Sequence, residues 1–107
     1  STNTASTFAD GMAVRVVNPE AFAHIHKGVD RIVTVRDDEI SEAVRLYFRC
    51  CHIVAEGAGA APLAALMQER EAMKGKRAGV ILSGGNIDMP KFAEALEGRT
   101  PAAGRVC

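Results

Sequence analysis

At 107 residues, 48% hydrophobic and 24% charged, the chain falls in the range of a single domain or half-domain, residues 1–107, with one modest core. Thirteen basic residues balance thirteen acidic ones with neither sign gathered into a block, so there is no electrostatic footprint for nucleic acid or an anionic membrane. The apolar runs are far shorter than the roughly 20 residues of a membrane span, and Ser1-Thr2-Asn3-Thr4 has no basic-then-apolar leader pattern. A cytoplasmic protein without nucleic-acid or membrane partners is expected.

The opening stretch, residues 1–13, is small and polar and delivers the chain to a turn at Ala9-Asp10-Gly11. Asn18-Pro19 starts a short helix through about His26, because proline suits a first helical turn. Residues 29–35 are short and rich in β-branched side chains, hence a strand. Asp37-Asp38-Glu39 then opens a helix whose Ile40, Val44, Tyr47 and Cys51 share one face, opposite a stripe of Asp38, Glu42, Arg45 and Arg49.

Pro62 is tolerated only in a first turn, so the next helix is placed from about 59–61 to about Met73, with Gly75 as its stop. Its first half, residues 60–67, has no polar face and should be covered on all sides. Residues 78–82 form a continuous apolar run suited to a parallel strand buried on both faces. A last helix, residues 89–97, is capped by Asp88, stopped by Gly98, and patterned to bury Met89, Phe92, Ala93 and Leu96. Residues 99–107 should fray. Strands alternating with helices predict an α/β fold.

Cys50, Cys51 and Cys107 fit neither a disulfide framework nor a Cys-x-x-Cys site. Neither Cys50-Cys51-His52 nor His24-x-His26 has further ligands at a recognisable spacing, which favours structural roles over metal binding. Ser83-Gly84-Gly85-Asn86, at the end of an apolar run and before a helix, stands where α/β proteins place ligands. A tight turn explains it equally well. Glu56-Gly57-Ala58-Gly59-Ala60 sets a carboxylate beside residues small enough for a backbone or a flat ligand to approach. Close helix packing is the plainer reading of its alanines.

Taken together, residues 7–14 (with Asp10-Gly11), residues 33–40, Glu56-Gly57-Ala58-Gly59-Ala60 and residues 82–88 resemble consecutive signatures of the threonine dehydratase and serine racemase family, in order, over residues 5 to about 97. Arg36 departs from the small residue often found before the helix acids there. The resemblance implies part of the large domain of a fold-type II pyridoxal-phosphate enzyme: a partial three-layer sandwich of short parallel strands and helices. It implies Ser83 at the cofactor's ring nitrogen, Gly84 and Gly85 shaping the turn beneath it, Gly11 letting backbone lie against the ring, and Glu56 near the polar edge. It also implies a small amino acid as substrate.

The family's Ser-x-Lys motif and tetraglycine-type phosphate loop do not occur in the sequence. Lys27, Lys74, Lys76 and Lys91 stand in other contexts, so no catalytic residue is assigned, and pyridoxal phosphate is expected to bind weakly or not at all. A missing N-terminal half or a second copy of the chain is the expected partner, covering residues 60–67 and 78–82. The alternative is a non-catalytic module that self-associates or binds a small ligand.

Overall fold

The computed structural model describes residues 6–13 and 16–102. Ser1 to Thr4, Val14, Cys107 and the end of the tail expected to fray lie outside the described residues. A short 3-10 turn at Asp10–Met12 precedes four helices, α1 (Pro19–Gly28), α2 (Asp37–Cys51), α3 (Gly57–Gln68) and α4 (Met89–Leu96).

Local chemistry explains each helix end. Asn18 caps α1, its side-chain oxygen accepting from the Ala21 N–H at 3.1 Å, and Pro19 fills the first position. At α2 the capping residue is Arg36, which has no acceptor to offer. Glu39 reaches back instead and accepts from the Arg36 N–H at 2.8 Å. The Arg36 guanidinium meets Asp38 at 2.9 Å; that bond holds the Asp38 carboxyl below its ordinary range and raises Arg36. α2 ends at His52 in the left-handed region (φ 56°), its ring in a T-shaped arrangement with Phe48. Asp88 precedes α4 but forms no side-chain cap; it lies 3.9 Å from Lys91 Nζ instead.

α3 starts earlier than its proline predicts. Pro62 is its sixth residue, not one of its first turn, and withdraws one donor from the helix interior. α3 stops at Gln68, and a run of turns carries the chain to Gly75 at φ +79°. Gly98, at φ +85°, ends α4 as expected.

The expected strands at 29–35 and 78–82 are not formed: among the described residues no β-ladder is present. A strand requires a paired neighbour. A backbone hydrogen bond from the Glu56 N–H to the Gly84 carbonyl, at 3.1 Å, ties the start of α3 to the segment that follows residues 78–82. The segment ahead of α2 is held by side chains instead. Gln68 Nε2 donates to the Thr34 carbonyl at 2.9 Å, and Arg31 pairs with Glu69 at 2.6 Å.

The core lies where α2 crosses α3 and α4. Ile40, Ala43 and Val44 of α2 meet Ala60, Ala61 and Ala64 of α3, while Phe92 and Ala95 of α4 close the other side. Phe48 and Phe92 stack edge to face at 5.5 Å. Ser41 Oγ donates to the Arg99 carbonyl at 2.6 Å and Arg45 to the Ala95 carbonyl at 3.3 Å, tying the end of α4 onto α2. The burial pattern corrects two expected faces. Cys51 is exposed, and α4 buries Phe92 and Ala95 while Met89 stays 75% exposed.

The molecule measures 40 × 39 × 19 Å, and a slab that thin has an interior only one shell deep. Its buried apolar residues are accordingly mostly alanine. An alanine methyl gains far less on burial than the roughly 1.5–3 kcal/mol of a larger aliphatic side chain, so single defects should show clearly.

One such defect is present. The Tyr47 hydroxyl oxygen is buried without a hydrogen-bond partner, and burial, with Cys51 nearby, raises its pKa above the ordinary 10.0. The unfolded chain releases this proton first as pH rises, so stability should be intact below about pH 10 and fall above it. Tyr47→Phe should be neutral or stabilising by roughly 1 kcal/mol in urea denaturation at neutral pH, and should flatten the alkaline decline. Tyr47 is the only tyrosine of the chain, so ultraviolet titration reads it directly.

Candidate functional site

The site is assembled around the N-terminal end of α3, where small residues let two other segments come close. A side chain at Gly57 would place its Cβ 2.8 Å from the Ala9 Cα, so the Asp10–Met12 turn presses directly on the helix start. Across the helix, a Cβ on Gly59 would stand 2.5 Å from the Gly84 carbonyl oxygen and 3.1 Å from the Gly84 nitrogen. Real Cβ atoms do not approach other heavy atoms so closely, so these contacts require glycine.

Glu56 links the three segments. Its N–H donates to the Gly84 carbonyl at 3.1 Å, and its carboxylate lies against the face of Gly84 where a side chain would project. The other carboxylate oxygen comes within 3.9 Å of the position a Cβ on Gly11 would take. Gly85 faces the Val54 carbonyl, and its own carbonyl accepts from the Ile87 N–H at 3.0 Å. Gly11, Glu56, Gly84 and Gly85, singled out from the sequence, are thus brought together.

Ser83 and Gly11 line one slot of about 350 Å³ together with Val33, Val35, Ala58 and Ala61. A smaller, polar recess of about 40 Å³ adjoins Glu56 and is lined by Asp10, Asn86, Asp88 and Lys91. Lys91 therefore belongs to the Glu56 recess, not to the Ser83 slot, and the described lining of the slot contains no lysine or arginine. Lys27, Lys74 and Lys76 are exposed away from both. Neither the His24 and His26 pair on α1 nor Cys50-Cys51-His52 at the end of α2 belongs to a group of three side chains placed to hold a metal ion among the described residues.

Of the walls, Ala58 stood in the small-residue run after Glu56, whereas Val33, Val35 and Ala61 were not singled out from the sequence as site residues. Val33 and Val35 carried a usable signal, being two residues apart in an extended run and so on one face; Ala61 carried none, because alanine in a helix is ordinary. A larger groove of about 450 Å³ between α2 and α3 contains none of the candidate residues. Its Glu39 carboxylate is already engaged by the Arg36 N–H and the Gln68 amide, so the smaller slot is the better site.

Chemically, the slot offers a mostly apolar lining and the neutral hydroxyl of Ser83, which suits a pyridine ring. Among the described residues it offers no cationic side chain to a phosphate. The residues present therefore fit the ring of pyridoxal phosphate, and its charged arm needs other groups.

The profile of the family described as "Pyridoxal-phosphate dependent enzyme" matches residues 1–84. An L-threo-3-hydroxyaspartate ammonia-lyase of a Pseudomonas species is 35% identical over 96 residues, covering 90% of this chain and 30% of that protein. An L-threonine ammonia-lyase of Thermotoga maritima is 40% identical over 83 residues, 78% of this chain and 20% of that protein. A serine racemase of Schizosaccharomyces pombe is 36% identical over 94 residues, 88% of this chain and 29% of that protein. The chain thus spans less than a third of the length of these relatives.

Gly84→Ala tests the packing of Glu56. Gly84 does not have a positive φ, so alanine is compatible with the backbone, and the new methyl meets only the far end of a flexible side chain. The carboxylate should swing aside at a cost of about 1 kcal/mol or less, leaving the urea midpoint nearly unchanged while the NMR shifts of the Glu56 side chain move.

Proposed function

Because the chain belongs to the pyridoxal-phosphate-dependent enzyme family, we propose that its slot forms the ring-binding wall of a threonine- or serine-type ammonia-lyase and that the chain alone performs no elimination. The observation that carries this reading is that Ser83 and Gly11, far apart in sequence, wall the same apolar slot beside Glu56. In this reading the chain is part of the large domain of a fold-type II enzyme, with the cofactor's phosphate and its covalent lysine supplied by other residues.

Pyridoxal phosphate, when bound, supplies the electron sink that allows bonds at an amino acid's α-carbon to break. Ser83 offers the ring nitrogen a neutral hydroxyl, which does not oblige that nitrogen to carry a proton. The sink is thereby tempered, which favours loss of a β-hydroxyl over prolonged charge build-up. Gly11 and Ala58 keep the slot shallow enough for a flat ring, and Val33 and Val35 exclude water from one face. The substrate class is a small β-hydroxy amino acid, in line with the names of the relatives.

Mixed with pyridoxal phosphate and then freed of excess, the purified chain should retain no lysine-linked chromophore and release no ammonia from threonine or serine. Retention of that chromophore together with ammonia release would overturn the reading and make Lys91 the first lysine to test. NMR titration should give shift changes at Gly11, Ala58 and Ser83 with roughly millimolar affinity, corresponding to about 4 kcal/mol. Shift changes confined to other surfaces would equally count against it.

A second reading, a non-catalytic self-associating module, is favoured by the exposure of Ile32 (73%) and Ile81 (78%). Apolar side chains left in water on connecting segments mark an interface. Sedimentation should show association increasing with concentration; a monomer across the micromolar range would remove this reading.

A further inference from the structure

Backbone contacts from residues 54–59 hold the Ser83-Gly84-Gly85 loop. The Glu56 N–H bonds to the Gly84 carbonyl, the Val54 carbonyl faces Gly85, and Gly59 lies against both the nitrogen and the carbonyl oxygen of Gly84. No ladder fixes the loop among the described residues.

Gly59 is the odd residue in this set. It is buried at the third position of α3, with Ala58, Ala60 and Ala61 around it. Glycine is among the poorest residues for a helix interior and alanine the best, so local propensity gives no reason for glycine here. Its φ is not positive either. What requires it is the approach of Gly84: a Cβ would stand 2.5 Å from a carbonyl oxygen and 3.1 Å from an amide nitrogen. Both are backbone atoms and cannot swing aside as the Glu56 carboxylate can.

We infer that Gly59 is a positioning residue for Ser83: the absence of a side chain at Gly59 lets α3 lock the peptides on either side of Gly84, and so fixes where the Ser83 hydroxyl stands in the slot. The sequence reading assigned the small residues here to a flat ligand or to plain helix packing. The geometry gives Gly59 to the loop, and leaves Ala58 and Ala61 to wall the slot. A methyl at Gly59 would displace Ser83 outward from α3 without touching the slot itself. This inference depends on the slot being the ring-binding site proposed above.

The test uses pyridoxine 5′-phosphate, which carries the ring without an aldehyde and so cannot bond to a lysine. Its binding to the chain is titrated, and the protonation of its ring nitrogen is followed by ultraviolet absorption against pH. Gly59→Ala should weaken binding by about tenfold and move the ring-nitrogen titration toward that of the free probe. In a Ser83→Ala background the same substitution should change binding by less than about twofold, since residues acting through one contact are not additive. Unchanged binding and titration in folded Gly59→Ala, or full additivity with Ser83→Ala, would overturn the inference.

Amide exchange in the unsubstituted chain provides a measurement that survives even if Gly59→Ala fails to fold. The Glu56 N–H should exchange at the rate of the α3 amides; exchange at the rate of an open loop would show that α3 does not lock Gly84. If the unsubstituted chain does not bind the probe while Glu56 is protected, the lock stands and the ring-binding reading fails, taking with it the role of Gly59 toward the cofactor.

Discussion

From its first residue to Ala61, α3 carries nothing larger than a methyl group, and that bareness is the constraint on which the rest of the structure depends. Ala9 reaches the helix at Gly57, Gly84 reaches it at Gly59, and α2 packs on Ala60, Ala61 and Ala64. Three segments thus converge on a single helix end at distances that only glycine and alanine allow. Interiors packed at crystal-like density have little room for one more methylene, so this junction is intolerant in a way that the exposed half of the molecule is not. The same closeness brings Gly11 and Ser83 to one slot.

The alanine-rich interior has a thermodynamic counterpart. Close backbone approach is gained at the expense of apolar area, and in a slab 19 Å thick there is no second shell to compensate. Specific polar ties carry more of the organisation than usual. Ser41 fastens the Arg99 carbonyl, Arg45 the Ala95 carbonyl, and Gln68 the Thr34 carbonyl. Each uses a side chain to satisfy a backbone acceptor, which a paired strand or a longer helix would otherwise do.

Helices were legible in the sequence where their causes are local. Asn18-Pro19 and the acids of 37–39 marked the starts of α1 and α2 within a residue, because capping and the helix dipole act over one turn. Pro62 misled for α3: packing of Gly57 and Gly59 extends that helix toward its N-terminus against the preference of proline. The segments 29–35 and 78–82 carried correct strand composition yet form no strand among the described residues, since β-structure is a property of a pair and composition describes only one member. The site divides the same way. Glu56 and Ser83-Gly84-Gly85 stood out by their residue pattern, Gly11 and the individual roles only through the family resemblance, whereas the approach of Gly59 to Gly84 appears only when two segments are seen side by side.

α1 makes no contact with the other helices and buries none of its residues. Its ten residues are therefore held by the Asn18 cap, Pro19 and the stacking of Phe22 on His26 at 5.7 Å. Isolated helices shorter than about 12–15 residues are marginal in water. α1 thus forms a folding unit of its own, whose helix content follows the helix–coil balance of a short peptide while the α2–α3–α4 junction responds as one cooperative block. Two parts of one small chain consequently answer to different thermometers, and a single melting temperature describes only the second.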